Sequence, residues 1–277
     1  MNAQASPIGV FDSGLGGLSV AREIRALMPD ESVLYAADHA YCPYGVRSPD
    51  EILTRTLLIA EELCQRGVKL LVVACNTACA VALDDLRRVL PIPVVGVEPA
   101  VKPAVQATRT GRVAVLATAR TVESPRLSGL ISRFAHDTVV YTVPAPALVD
   151  LVEAGETSGV GVDMALWALL HPHLERHVDA VVLGCTHFPF LREAIERLVG
   201  PDIKVIDSGA AVARHTREVL DGLGLLAGNQ ANATFEIVST GDVEFIARIA
   251  SNLLGEPISV HELDIAIPEP KLSVIGY

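Results

Sequence analysis

"LLVVACNTAC", residues 70–79, and "AVVLGCTHFP", residues 180–189, decide how this chain is read. Each is a short apolar run that ends at a cysteine and then turns polar. Asn76 and Thr77 follow Cys75; Thr186 and His187 follow Cys185. A bounded run of aliphatic residues suits a strand buried on both faces, as in parallel sheets. The polar groups then stand at the strand's carboxyl end, where open α/β sheets bind their ligands.

Working outward, the two stretches belong to a longer echo. Cys75 and Cys185 are 110 positions apart, and so are Val95 and Val205. A helical texture follows each cysteine: "AVALDDLRRVLP" after the first, "PFLREAIERLVGP" after the second. Further strands, "IPVVGVEPAV" and "IKVIDSGAAV", end at Glu98 and Asp207. "PIGVFDSG" at 7–14 pairs in the same way with "GRVAVLATARTVES" at 111–124. One offset kept across two motifs reads as an old duplication.

Strands are expected at 8–11, 33–37, 70–74, 93–97, 112–116, 138–142, 179–183, 203–206 and 234–238, separated mostly by segments of helical period. That alternation predicts α/β architecture. The expected fold is two similar lobes, each a mostly parallel sheet flanked by helices, with a cleft between them. Ser48, Pro49 and Glu51 form a capping-box start, Ser124–Pro125 marks another helix, and Pro189 a third.

Composition narrows the class. The chain has 277 residues, half of them hydrophobic, and a net charge of −11. The acidic balance leaves no electrostatic footprint for nucleic acid. No run of 18 apolar residues occurs, and "MNAQASPIGV" is not a secretory signal, so a cytoplasmic protein without a membrane span is expected. Five cysteines without paired spacing read as reduced thiols.

Two thiols facing each other across a cleft can do what one cannot. One removes a proton from one face of a carbon, and the other delivers a proton to the opposite face. The carbon inverts without a cofactor. An amino-acid α-proton is very weakly acidic, so such a site must stabilise carbanionic charge and exclude water. Helix N-termini after both cysteines would favour thiolate. Asn76, Thr77 and Thr186 can hold a carboxylate and an ammonium. Asp12 and His187 can serve as proton-transfer partners.

Plainer readings compete. Cys64 lies on an apolar helical stripe and reads as core; Cys79, one turn beyond Cys75, reads as packing; Cys42, before "PYG", stays open. Asp12 could cap a helix. His187 could join Cys185, Cys75 and Cys79 around zinc, but the spacing of two tight ligand pairs is missing, and no metal is expected. "DSGLGGLSV" at 12–20, with Asp38 ending the next strand, resembles a dinucleotide fingerprint. Its third glycine is replaced by Ser19. Pyridoxal phosphate needs a Schiff-base lysine. The chain has four lysines, and only Lys102 falls on the ligand side of a strand.

"IGVFDSGLGGLSV", "CPYG", "VVACNTA", "LATARTVES", "LVEAGE" and "LGCTHFPFL", in that order over about residues 7–220, together resemble the glutamate racemases of the cofactor-independent aspartate/glutamate racemase superfamily. The resemblance implies interconversion of L- and D-glutamate, which supplies D-glutamate for peptidoglycan. It implies Cys75 and Cys185 as the two acid/base residues, Asp12 assisting the first, and His187 with Glu153 assisting the second. Ser13, Pro43, Tyr44, Gly45, Asn76, Thr77, Thr118, Thr121 and Thr186 match substrate-binding positions, Asp12 among them. No cofactor, a small-molecule partner and a homodimer are implied. Leu127 stands where many relatives carry an aromatic residue, and Ala145 where a cysteine is common. Residues 1–98 with 210–265 are expected to form the first lobe, 99–209 the second, and 266–277 an irregular tail. The alternatives are an aspartate racemase of the same superfamily, or a two-lobed amino-acid-binding protein with no need of paired thiols.

Overall fold

The computed structural model describes residues 3–228 and 233–265. The tail expected at 266–277 lies outside the described residues. Among the described residues, ten strands form two sheets. In chain order they are β1 Ile8–Asp12, β2 Val33–Ala37, β3 Leu70–Val73, β4 Val94–Gly96, β5 Arg112–Ala117, β6 Val139–Pro144, β7 Ala180–Leu183, β8 Lys204–Ile206, β9 Phe235–Ser239 and β10 Val260–Glu262. All pairings are parallel.

The sheet orders repay the sequence echo. The first runs β10-β9-β2-β1-β3-β4 and the second β6-β5-β7-β8. Strip β9 and β10 from the first, and each sheet has the same order, with β5 to β8 in the places of β1 to β4. Cys75 and Cys185 therefore follow equivalent strands, β3 and β7. After the second sheet is built, the chain returns to the first: β9 pairs with β2, Tyr35 opposite Ile237.

The central strands are buried along their whole length, as parallel sheets covered on both faces require. Their flanking helices carry the matching stripes. Helix Val243–Leu254 buries Ile246, Ile249, Ala250 and Leu253, one face at helical spacing. Each large aliphatic side chain so buried contributes about 1.5–3 kcal/mol. One continuous core includes Phe11 and Tyr35 from the first sheet and Leu183 and Phe188 from the second half. A smaller core, around Val113, Val115, Val182 and Leu127, fills the other face of the second sheet.

All nine expected strands are present, with no end shifted by more than two residues. The tenth, β10, was not expected: it is three residues long, half exposed at the sheet edge, and has no alternation to read. The capping box forms as expected, with Ser48 Oγ accepting from Glu51 N at 3.3 Å and Glu51 Oε2 accepting from Ser48 N at 3.0 Å. Among the described residues no helix is long and apolar enough to cross a membrane.

Candidate active site

Cys75 sits where β3 gives way to helix Asn76–Val89, in extended backbone, as that helix's N-cap. Its Sγ accepts from Ala78 N at 3.4 Å and donates to Ser13 Oγ at 3.6 Å. Ser13 Oγ in turn donates to Asp12 Oδ1 at 3.3 Å, so the route from Asp12 to Cys75 runs through Ser13. Asp12 is the last residue of β1 and fully buried. Gly14 N donates to its Oδ1 at 2.8 Å and Thr186 Oγ1 to its Oδ2 at 2.8 Å. Burial raises the Asp12 pKa against these bonds and the nearby His187 charge. Burial first, and then the Asp12 charge, push the Cys75 thiol far up, so Cys75 rests protonated. The capping alternative for Asp12 falls away, because helix Leu18–Leu27 is capped at Gly17 without a side-chain bond.

Around Cys185 the partners differ. His187 Nδ1 lies 3.5 Å from Cys185 Sγ, and Nε2 lies 2.5 Å from Glu153 Oε1. Glu153, at the end of helix Pro146–Glu153, also accepts from Leu15 N at 2.7 Å and pairs with His39 Nε2 at 3.1 Å. Burial would raise Glu153, but the hydrogen bonds to His187 and His39 outweigh it and hold the carboxylate well below its usual range. Burial would lower His187, but Cys185 and Glu153 hold the imidazole charged well above its usual range. The result is a cation wedged between a sulfur and a carboxylate.

Both cysteines line one narrow chamber, together with Ser13, Pro43, Tyr44, Gly45, Asn76, Thr77, Thr118, Val149, Thr186 and His187. Thr77 and Thr118 join the two halves at 2.9 Å, and Thr118 continues to Thr121 at 3.0 Å. Asn76 Oδ1 is buried without a hydrogen-bond partner. An orphaned acceptor costs about 1–3 kcal/mol, which a ligand's donor can recover.

The structure brings every expected site residue to this region, in two layers. Asp12, Thr121 and Glu153 stand behind the wall and bond to residues in it. Sequence reasoning missed the support beneath Tyr44. Its hydroxyl donates to Asp38 Oδ2 at 2.6 Å, and Arg55 grips the same carboxylate at 3.0 and 2.7 Å. Thr240 Oγ1, from beyond β9, adds a bond at 2.9 Å. Asp38 is thus spent on holding the Pro43–Gly45 turn, not free for a ribose. His39 was also missed, and Cys42, left open in the sequence for its place before "PYG", joins the support through Glu153.

Several expectations need correction. A helix N-terminus meets Cys75 but not Cys185. After Cys185 the chain forms a 3-10 turn, Phe188–Leu191, and the α-helix starts only at Arg192. Pro189 lacks an N–H, and Phe188 and Leu191 are pulled into the core. Cys64 is half-buried, at the edge of its helix's apolar stripe beside Leu63, not in the core. The glycines of "DSGLGG" serve no phosphate. A Cβ at Gly14 would overlap Glu153 Oε1 and Cys42 Sγ, and one at Gly16 would overlap the His187 ring. Lys102 is exposed, with its Nζ over the Phe134 ring, and among the described residues no lysine lines the chamber. The donor atoms that converge are those of Cys42, Glu153 and His187, not of Cys75, Cys79 and Cys185.

Known proteins resemble this chain over most of its length. The family model described as Asp/Glu/Hydantoin racemase matches residues 18–216. The glutamate racemase of Pseudomonas paraeruginosa is 49% identical over 266 residues, which is 96% of this chain and 100% of that protein. The crystal structure of the glutamate racemase isoform RacE1 from Bacillus anthracis superposes with a TM-score of 0.86 at 35% identity, covering 95% of this chain and 98% of that one. That of Escherichia coli glutamate racemase, in complex with L-glutamate and the activator UDP-MurNAc-Ala, gives 0.84 at 36% identity, covering 94% and 99%. Matched by the family model over most of its length and sharing nearly half its residues with an end-to-end relative, this chain belongs to the Asp/Glu/Hydantoin racemase family.

Proposed function

We propose that this protein interconverts L- and D-glutamate without a cofactor, using Cys75 and Cys185 as opposed acid and base. The observation that carries the reading is that two thiols, each just past the equivalent strand of a duplicated fold, line one chamber. In either direction a thiolate on one face takes the α-proton, and the C–H electron pair stays on carbon. The thiol on the other face gives its proton to that carbon. The net change is inverted substrate, with thiol and thiolate exchanged between the two cysteines. Resetting the pair moves one proton through the partners. Ser13 and Asp12 serve Cys75; His187 and Glu153 serve Cys185.

Asn76 Oδ1 accepts from the substrate ammonium, and the hydroxyls of Ser13, Thr77 and Thr186 donate to its carboxylates by turning from Asp12 and Thr118, the acceptors they otherwise serve. Amides at the start of helix Asn76–Val89 favour the charge that develops on the reacting carbon's carboxylate. A site that holds both carboxylates prefers glutamate over aspartate, because one missing methylene leaves buried polar groups unpaired. Residues 1–98 with 210–265 and residues 99–209 act as the two lobes, and closing them excludes water from the carbanion. The family resemblance further supports a cytoplasmic homodimer that supplies D-glutamate to peptidoglycan synthesis.

The test is turnover of each enantiomer of glutamate and aspartate in deuterium oxide, with no cofactor added. Early product deuterated at the α-carbon, with recovered substrate still protiated, is expected for glutamate. Return of the original hydrogen to the product sinks the two-base mechanism. Equal turnover of aspartate sinks the substrate assignment.

A further inference from the structure

Behind the chamber, three donors from three separate parts of the chain meet. Cys42 Sγ comes from the loop after β2, Glu153 from a helix end and His187 from the turn after β7, and their ligand atoms all lie within 4.8 Å of one another. Cys42 Sγ points at Glu153 Oε1 at 3.5 Å, and His39 Nε2 approaches Oε2 of the same carboxylate at 3.1 Å. Racemisation employs His187 and Glu153, with His39 bonded to the Glu153 carboxylate, but leaves Cys42 without a task. Cys42 does not line the chamber between the catalytic thiols. The backbone is shaped to the cluster, since Gly14 leaves room for both Glu153 Oε1 and Cys42 Sγ. His39 has 20% of its side chain exposed, so the cluster has a wet side through which an ion can enter.

A thiol, imidazoles and a carboxylate are the donor set of zinc, not of calcium or magnesium. Zinc bonds of about 2.0–2.3 Å put tetrahedral donors about 3.3–3.8 Å apart. The Cys42–Glu153 separation of 3.5 Å already fits. The 2.5 Å between His187 and Glu153 must open by about an ångström, within side-chain motion. We propose that Cys42, His187 and Glu153 form an inhibitory site for a zinc-class divalent cation, with His39 beside the fourth position. Binding releases the Cys42 thiol proton and the His187 Nε2 proton to solvent. Nε2 then holds the metal and can no longer pass protons between Cys185 and Glu153. The inhibition, though not the binding, rests on the proton route proposed above.

The full-length, metal-stripped protein is titrated with zinc against a chromophoric chelator, and with cobalt(II) as a spectroscopic probe. One equivalent binds, cobalt gives a thiolate-to-metal charge-transfer band, and racemisation falls in step with occupancy and recovers with chelator. Cys42→Ser removes that band and weakens zinc by about 100-fold or more, since even a partner of a ligand is worth 10- to 100-fold, while kcat/KM without metal stays within about two-fold. His39→Ala weakens zinc about ten-fold. Thermal unfolding of both variants checks that they are folded. A Cys42→Ser variant that binds and is inhibited like the parent overturns the site and assigns the metal to Cys75 or Cys185. Absence of stoichiometric binding by the parent overturns it as well. The absorption and affinity measurements need no turnover, so a failure to racemise glutamate counts against the functional reading alone.

Discussion

The two cysteine sites occupy equivalent places in a duplicated fold, yet they are built differently. Cys75 caps a 14-residue helix whose amide bonds its sulfur, and its acidic partner, Asp12, comes from the neighbouring strand of the same sheet. Cys185 has no such helix. It has an imidazole two residues on, and the carboxylate that charges that imidazole arrives from another element. The repeated strand order places the two sulfurs alike; the means of moving protons to and from each is built differently. The difference also sets resting charge. Around Cys75 the nearby charge is negative and the thiol keeps its proton, whereas beside Cys185 stands a cation.

The largest effect comes from removing either sulfur. Cys75→Ala and Cys185→Ala each lower racemisation by more than about a thousand-fold, a barrier increase of about 4 kcal/mol. Exchange of the α-hydrogen with solvent separates the two halves. With one thiol left, the enantiomer whose hydrogen faces it still exchanges, without inversion, while the other enantiomer does not. The two variants therefore show opposite preferences, readable by proton NMR in deuterium oxide. If both variants exchange the same enantiomer, the halves are not opposed faces of one site.

How much of this was legible in the sequence follows from the range of each interaction. β3 and β7, their cysteines and the Ser48 capping box are written in consecutive residues, where period and cap chemistry act. The duplication was legible as a constant offset. The supports were not. Cys42 and His39 meet Glu153 across 111 and 114 positions, and Asp12 meets Thr186 across 174, with no local pattern to mark them. Glu153 entered the reading only by resemblance. Arg55 sits mid-helix, where arginine is usually solvated, and only the fold turns it onto the buried Asp38. The false expectation of a second helix N-terminus arose because helical texture was read one turn early, through Pro189.

A smaller effect shows in the pH dependence. Glu153→Gln removes one of the two neighbours, Cys185 and Glu153, that hold His187 charged, so the His187 pKa falls. If the reaction needs the imidazolium beside Cys185, activity persists below that pKa and is lost as pH rises through it. The alkaline limb of kcat then moves to lower pH in Glu153→Gln, with kcat down about ten-fold at its optimum. Asp12→Asn, which removes a nearby charge but no hydrogen bond to the imidazole, moves that limb less. Stability follows the same signs. The raised His187 contributes below its unfolded value of about 6.5 and loses that contribution as pH rises through its folded value. The lowered Glu153 contributes above about 4.3 and loses it as pH falls. The pair is therefore strongest between those limits. Denaturant unfolding at about pH 5.5 should show Glu153→Gln weakened by about 3 kcal/mol. An unmoved alkaline limb would mean that His187 does not govern the Cys185 half.

The smallest effect tests whether placement alone makes a sulfur reactive. Cys79 lies one helical turn beyond Cys75, on the same helix and equally hidden from solvent. Its Sγ donates to Val73 O at 3.3 Å, and burial pushes its pKa up to about 12. It packs beside Leu83 against Gly96 and lines no part of the chamber. No Ser13, Asp12 or His187 reaches it to take a proton. Cys79→Ala should leave kcat and KM for both enantiomers within about two-fold of the parent. It should cost about 1 kcal/mol of folding stability, as expected for a small buried group removed from a packed core. A loss of turnover approaching that of Cys75→Ala, with the fold intact by thermal melting, would mean that the reactive sulfur on this helix has been misassigned by one turn.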